Sequence, residues 1–287
     1  GGVHPSDQKE FARDIPFTAY EPKGDMVYPL SQHIGAPAVP VVKKGDEVLA
    51  GQIIAEAGGF VSANIISSCS GKVKSIEKRM TATGTKVQSI VIENDGEFRT
   101  AEGIGTEVDY KTLTKEEILA KIKDAGIVGL GGAGFPTHVK LAPKNVDAIQ
   151  YIIANGAECE PYITCDDQLM RSRADGIVTG MEIMLSLFPN AEGVIIIEEN
   201  KPEAIAAMEK ACEGHPRVKV LAVQTKYPQG GERSCITVVT GKHLKLGMLP
   251  ADLGCVVDNV ATIYAIYEAV CKSTPLMVKG LTVTGDA

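Results

Sequence analysis

The chain has 287 residues, 44% hydrophobic and 23% charged, enough to bury two cores and too well mixed for a fibre or an unfolded tail. Its 29 Lys and Arg against 36 Asp and Glu leave a formal net charge of −7, which argues against a nucleic-acid or anionic-membrane binder, since both need a basic face. No apolar run approaches the roughly 18 residues that cross a bilayer, and the opening Gly1-Gly2-Val3-His4-Pro5 lacks the apolar core of a secretion signal. A cytoplasmic setting is therefore expected. Seven cysteines, with no C-x-x-C pair, read as free and mostly buried thiols. Cys159 and Cys165 are the close pair among them, and no metal ligands are assigned.

Residues 25–100 read as β structure. Short apolar runs at 39–42, 48–54, 71–76 and 87–92 alternate with the turn residues Lys44-Gly45-Asp46, Gly58-Gly59 and Asn94-Asp95-Gly96. Within them, Val41-Val42-Lys43-Lys44-Gly45-Asp46-Glu47-Val48-Leu49-Ala50-Gly51-Gln52 resembles the hairpin of biotinyl and lipoyl carrier domains, and Ser70-Gly71-Lys72-Val73 resembles their closing strand. Such domains present a modified lysine between these two motifs. Here residues 53–69 contain no lysine, so a swinging-arm carrier is chemically excluded. Residues 1–108 are expected to form a small β barrel-sandwich that docks or supports.

From about residue 112 the period changes. Thr114-Lys115-Glu116-Glu117 reads as a capping box, with Ile118, Leu119 and Ile122 following at helical spacing and Gly126 ending the helix. A buried strand is expected at 148–154. Thr164 is then placed to cap a long helix carrying Leu169, Ile177, Met181, Met184, Leu185 and Phe188. A strand at 194–197 precedes a helix that Pro202 opens and Gly214 ends. A third strand at 218–223 leads to a glycine-rich loop and a short helix to Gly241, and Asp258 is expected to cap a last helix through Tyr264 and Tyr267. This alternation predicts an α/β fold, a Rossmann-like parallel-sheet layer sandwich over 109–276, with 277–287 beginning a further β domain.

Four loops could meet a ligand. Gly129-Leu130-Gly131-Gly132-Ala133-Gly134-Phe135-Pro136 contains G-x-G-x-x-G, but a helix precedes it and Pro136 and Pro143 leave little room for one after it. Its glycines fit either a crowded turn or close backbone approach to a phosphate or ring, with Lys140 to add charge and Phe135 to offer a flat face. Asn155-Gly156-Ala157-Glu158-Cys159-Glu160-Pro161-Tyr162 follows a strand, where open sheets place ligands. It is either ordinary turn chemistry or a set of polar groups for a heterocycle edge and sugar hydroxyls. Tyr227-Pro228-Gln229-Gly230-Gly231-Glu232-Arg233 also follows a strand, and Val256-Val257-Asp258-Asn259-Val260-Ala261-Thr262 opens a helix whose N–H groups favour phosphate or hydroxyls. No nucleophile–base relay is visible; hydride transfer to a flavin needs none, because the cofactor carries the chemistry.

Taken in order, the motifs Gly129 to Pro136, Asn155 to Pro161, Tyr227 to Glu232 and Val257 to Thr262 resemble the FMN- and NADH-binding motifs of the flavoprotein subunit of respiratory complex I. With the lysine-free barrel and Gly1-Gly2-Val3-His4-Pro5, the closer resemblance is to the RnfC family of Rnf electron-transport complexes. The resemblance implies NADH oxidation on a bound FMN, with electrons passed singly to 4Fe-4S clusters, in a module held at the membrane by partner subunits. By position, Gly129, Gly131, Lys140, Asn155, Glu160, Gly231, Glu232, Asn259 and Thr262 would line the FMN site and Phe135 would stack with NADH. Gly132, Gly134 and Glu158 complete the implied cofactor-binding set. Ala157 and Gly231 stand where the complex I pattern usually has acidic residues. The two four-cysteine cluster motifs of the Rnf family do not occur in these 287 residues, so a fragment with cofactor sites and no electron exit is expected. Two other readings stay open: the related electron-transfer protein of proline reductase, and a non-catalytic docking module with a vestigial glycine loop.

Overall fold

The computed structural model describes residues 1–284; the last three residues of the expected further β segment, 285–287, lie outside the described residues. Two compact units result. One comprises Ala19–Lys140 with Glu268–Lys279, and the other comprises Gly1–Thr18, Leu141–Tyr267 and the described residues from Gly280 on. This division differs from the boundaries at 108 and 276 expected above. The first 18 residues join the second unit because Val3 pairs in both directions with Tyr227 (N···O 2.8 Å each way). Residues 109–140 stay with the first, where Gly126 sits over the carbonyl of Asn64 and Leu276 donates to the carbonyl of Ala125.

The first unit is a β barrel-sandwich. Its strands are β1 (Asp25–Pro29), β2 (Val39–Pro40), β3 (Glu47–Val48), β4 (Ile53–Glu56), β5 (Ile65–Ile66), β6 (Gly71–Met80) and β7 (Lys86–Asn94). They form two antiparallel sheets, ordered β1-β7-β6-β3 and β2-β4-β5. Tyr28, Leu30, Val48, Ile54, Ile65, Val73, Ile90 and Ile92 fill the core between them. The apolar run at 48–54 is not one strand. Gly51 takes a left-handed φ of 86°, and the Leu49 N–H donates to the Gln52 side chain, so the chain turns between β3 and β4. After the barrel, α1 (Lys115–Asp124) opens with the expected capping box: the Thr114 hydroxyl accepts from the Glu117 N–H, and the Glu117 carboxylate accepts from the Thr114 N–H at 2.7 Å. A single helical turn, α2 (Thr137–Lys140), does fit after the glycine loop, with the Pro136 carbonyl accepting from the Lys140 N–H at 3.3 Å.

The second unit is built on four parallel strands, β8 (Tyr151–Gly156), β9 (Glu192–Glu198), β10 (Val218–Val223) and β11 (Cys255–Asn259), in the order β10-β9-β8-β11. β8 starts later than expected because residues Val146–Ala148 close a 3-10 turn first. Its helices are α3 (Cys165–Leu187), α4 (Pro202–Ala211), α5 (Glu232–Thr240) and, through Tyr267, α6 (Val260–Cys271). Cys235 and Ile236 of α5 pack with Ile153, Val194, Ile196 and Val257 of the sheet. α3 lies so close to the residues of α6 that a Cβ on Gly180 would sit 2.3 Å from the carbonyl oxygen of Ile263. All seven cysteines are free, and burial pushes the Cys235 thiol up to about 12.

Candidate functional site

From β8 the sheet grows outward through β9 to β10, then the chain returns to lay β11 on the opposite side of β8. The strand order therefore reverses between β8 and β11, the place where open α/β sheets leave a crevice at their carboxyl ends. Asn155 and Asn259 are register partners at that place. The Asn155 carboxamide donates to the carbonyl of Gly230 (2.8 Å) and accepts from the Ala157 N–H (3.2 Å). The Asn259 carboxamide donates to the Asp166 carboxylate (2.7 Å) and accepts from the Ala261 N–H (2.9 Å). Asn155 thus ties the end of β8 to the loop after β10, and Asn259 ties the β11–α6 junction to the first turn of α3. The bond to Ala261 also corrects the expected cap: Asn259, not Asp258, caps α6, because β11 runs one residue further than the pattern implied.

Glu158 governs the next shell. It sits at a left-handed φ of 48° with its side chain fully covered, and its carboxylate accepts from the N–H groups of Asp166 (2.7 Å) and Asp167 (3.3 Å). Glu158 therefore caps α3, and Thr164, the expected cap, makes no side-chain cap bond. Burial pushes the Glu158 carboxyl up to about 8; the nearby Asp166 charge adds to this, while Lys9, the Asp166 N–H and Lys201 oppose it. Glu158, Cys165 and Asp166 are also the described group whose ligand atoms lie within 4.8 Å of one another, but the Glu158 oxygens already serve the helix end.

Two lysines are buried beneath this loop, Lys9 at 5% exposure and Lys201 at 1%. Lys9 Nζ donates to the carbonyls of Glu158, Glu160 and Ile163 at 2.9, 3.1 and 2.5 Å. Lys201 Nζ donates to the carbonyl of Ala157 at 2.6 Å and to the Asn200 side chain at 3.0 Å, with Glu198 at 3.4 Å. Burial pulls the Lys201 ammonium downward and the Glu198 carboxyl upward.

Of the expected site residues, all in the second unit, Asn155 lies near the end of β8, Glu158 and Glu160 in the loop after it, Gly231 and Glu232 at the start of α5, Asn259 at the end of β11 and Thr262 in the first turn of α6. The Glu160 and Glu232 side chains are exposed, whereas Thr262 is fully buried. Gly231 has an ordinary φ of −64°, and a Cβ there would meet nothing closer than 3.8 Å. The chain's own conformation and packing therefore do not require glycine at 231. Gly129, Gly131, Gly132, Gly134, Phe135 and Lys140 belong to the other unit. There the loop is closed at its base by the Gly129 N–H to the Phe135 carbonyl (2.9 Å) and by pairing of Val128 with Pro136. A Cβ on Gly129 or Gly132 would also find room.

Residues 122–268 match the family of the Nuo51 FMN-binding domain, and residues 1–97 match the RnfC barrel sandwich hybrid domain. The chain belongs to the RnfC family. It is 47% identical to the C subunit of the proton-translocating ferredoxin:NAD+ oxidoreductase complex of Clostridium ljungdahlii, over 100% of this chain and 63% of that protein. Identity is 42% to the C subunit of the Na+-translocating ferredoxin:NAD+ oxidoreductase complex of Acetobacterium woodii, over 100% of this chain and 65% of that protein. The C subunit of the ion-translocating oxidoreductase complex of Rhodobacter capsulatus is 40% identical, over 99% of this chain and 55% of its own length. The chain thus spans about two-thirds or less of these relatives. In this RnfC-family chain, Ala157 is fully buried and offers its carbonyl to Lys201. No described helix is long and apolar enough to cross a membrane. Lys9, Lys201 and Asp166 went unread in the sequence: Lys9 lies 149 residues from Glu158, and no local pattern marks it.

Proposed function

We propose that this chain is the FMN- and NAD(H)-binding module of an RnfC protein, working beside the other subunits of a membrane complex from the cytoplasmic side. The observation that carries this reading is the pair Asn155 and Asn259, which tie β8, the loop after β10 and the starts of α3 and α6 together at the reversal of strand order. The donor set fits the group: carboxamides at a crevice floor, an unforced glycine at 231, and the N-terminus of α5 following β10, which no side chain caps and where N–H groups favour phosphate. FMN, when bound, supplies exchange of an electron pair with a nicotinamide and single-electron transfer to iron–sulfur clusters carried outside these residues. Asn155, Glu160, Gly231, Glu232 and Asn259 would hold it, with Glu158 and Thr262 supporting from beneath.

The test is a visible spectrum after loading with FMN, removing free flavin and adding NADH anaerobically. Retained flavin absorbance that NADH bleaches is expected. Retained flavin that NADH leaves unchanged removes the nicotinamide half of the reading. No retained flavin moves the docking-module reading forward.

A further inference from the structure

The first 18 residues fold with the α/β unit, although that unit's sheet begins only at Tyr151. They reach it by a dense set of bonds. Val3 pairs with Tyr227, His4 bonds the Thr225 carbonyl at 3.0 Å, and Asp7 accepts from the Tyr162 N–H through its carbonyl and from Asn200 through its carboxylate. The Phe11 ring stacks on Tyr162 with centroids 6.4 Å apart, and the Arg13 carbonyl accepts from Arg171. At the centre is the Lys9 ammonium, enclosed by three carbonyls of one loop.

That number matches the ion. An ammonium has three donors in tetrahedral array, so three carbonyls satisfy it without help from solvent, whereas a planar guanidinium cannot occupy the same cage. Lys201 takes the carbonyl of Ala157 at the head of the same loop. The loop's inward carbonyls are thereby fixed at 157, 158, 160 and 163 by two buried cations from distant parts of the sequence. A loop of this length held by so many fixed partners loses its freedom before any ligand arrives, which lowers the ordering cost of binding.

We propose that the N-terminal segment is a clamp on the loop after β8, with Lys9 as the positioning residue that presets the shape of that loop for its ligand. This rests on the reading of the loop as part of the FMN site, but the clamp itself is a property of the unliganded chain. Lys9 acts through the loop backbone and through the Glu158 carboxylate, 3.8 Å from its ammonium.

The experiment uses the whole chain in two readouts: amide hydrogen exchange of residues 157–167 without ligand, and FMN affinity. In Lys9→Met, exchange across 157–167 should accelerate, and FMN binding should weaken about tenfold, the equivalent of one lost charge-assisted hydrogen bond. Lys9→Arg should not rescue either readout. Val194→Ala, a core change in β9 with a comparable loss of melting temperature, should leave FMN affinity within about twofold and so separates positioning from general destabilisation. Should Lys9→Met fail to fold, Phe11→Ala keeps the test alive: Phe11 is an exposed ring, and its loss should speed exchange at Tyr162. Exchange and affinity both unchanged in Lys9→Met, or unchanged exchange in Phe11→Ala where Lys9→Met does not fold, overturns the clamp. If the native chain does not bind FMN, the cofactor reading fails, while exchange at 157–167 still decides the clamp.

Discussion

Asn259 makes its bonds with both ends of one carboxamide, holding Asp166 with its amino group and the Ala261 N–H with its oxygen. Asn259→Ala should remove both at once and weaken FMN binding by about tenfold or more, measured by fluorescence titration; an unchanged affinity would take the reversal point out of the site. Asp95 illustrates a different residue-scale effect, in the barrel. Its carboxylate accepts from the Arg99 guanidinium (2.8 Å), the Ser70 hydroxyl (2.7 Å) and the Glu97 N–H (2.9 Å), holding its pKa at about 2 against the usual 3.8. A carboxyl with a depressed folded pKa stabilises above its unfolded value and loses that contribution as pH falls through the folded one. Asp95→Asn should therefore melt at lower temperature than the native chain at pH 7, with the gap closing as pH falls from about 4 toward about 2.

At the scale of elements, α3 and α6 determine how the rim is set. Gly180 lets the two helices touch backbone to backbone, and α6 carries Asn259 at its leading end. Ala is the better helix former by about 1 kcal/mol, but its Cβ would fall 2.3 Å from the Ile263 carbonyl, and overpacking of that kind costs roughly 1–3 kcal/mol or more. Packing wins, so Gly180→Ala should lower the denaturation midpoint despite its favourable propensity. Thr114→Ala removes half of a capping box on an exposed helix end and should cost about 1 kcal/mol in urea unfolding. That box was fully legible from four residues, because both partners of each bond lie within one turn. The strand at 218–223 was legible for a similar reason, as a bounded apolar run. The caps of α3 and α6 were not: Glu158 reaches α3 from a loop six residues before Thr164, and Asn259 is decided by where β11 ends. Period 2 and period 3.6 carry no information about such bonds.

For the whole molecule, the two units and their approximate chemistry could be read from motif order, while the course of the chain between units could not. Residues 1–18 have no pattern that places them on the α/β unit, since their partners lie in loops rather than in a periodic face. A ligand that binds only the folded state adds RT ln(1 + [L]/Kd), about 2.7 kcal/mol at a hundredfold excess over Kd. FMN should therefore raise the melting temperature in a concentration-dependent way, and a flat response up to high FMN would count against the cofactor reading. The clamp has one more consequence, and it concerns synthesis. His4 and Thr225 are 221 residues apart, so at about 5–20 residues per second the leading segment waits roughly ten to forty-five seconds on the ribosome before its partner emerges. Through that interval the Lys9 ammonium, buried in the folded chain, has none of the carbonyls at 158, 160 and 163 that later enclose it, so residues 1–18 should stay open to protease on nascent chains until both partner segments are made.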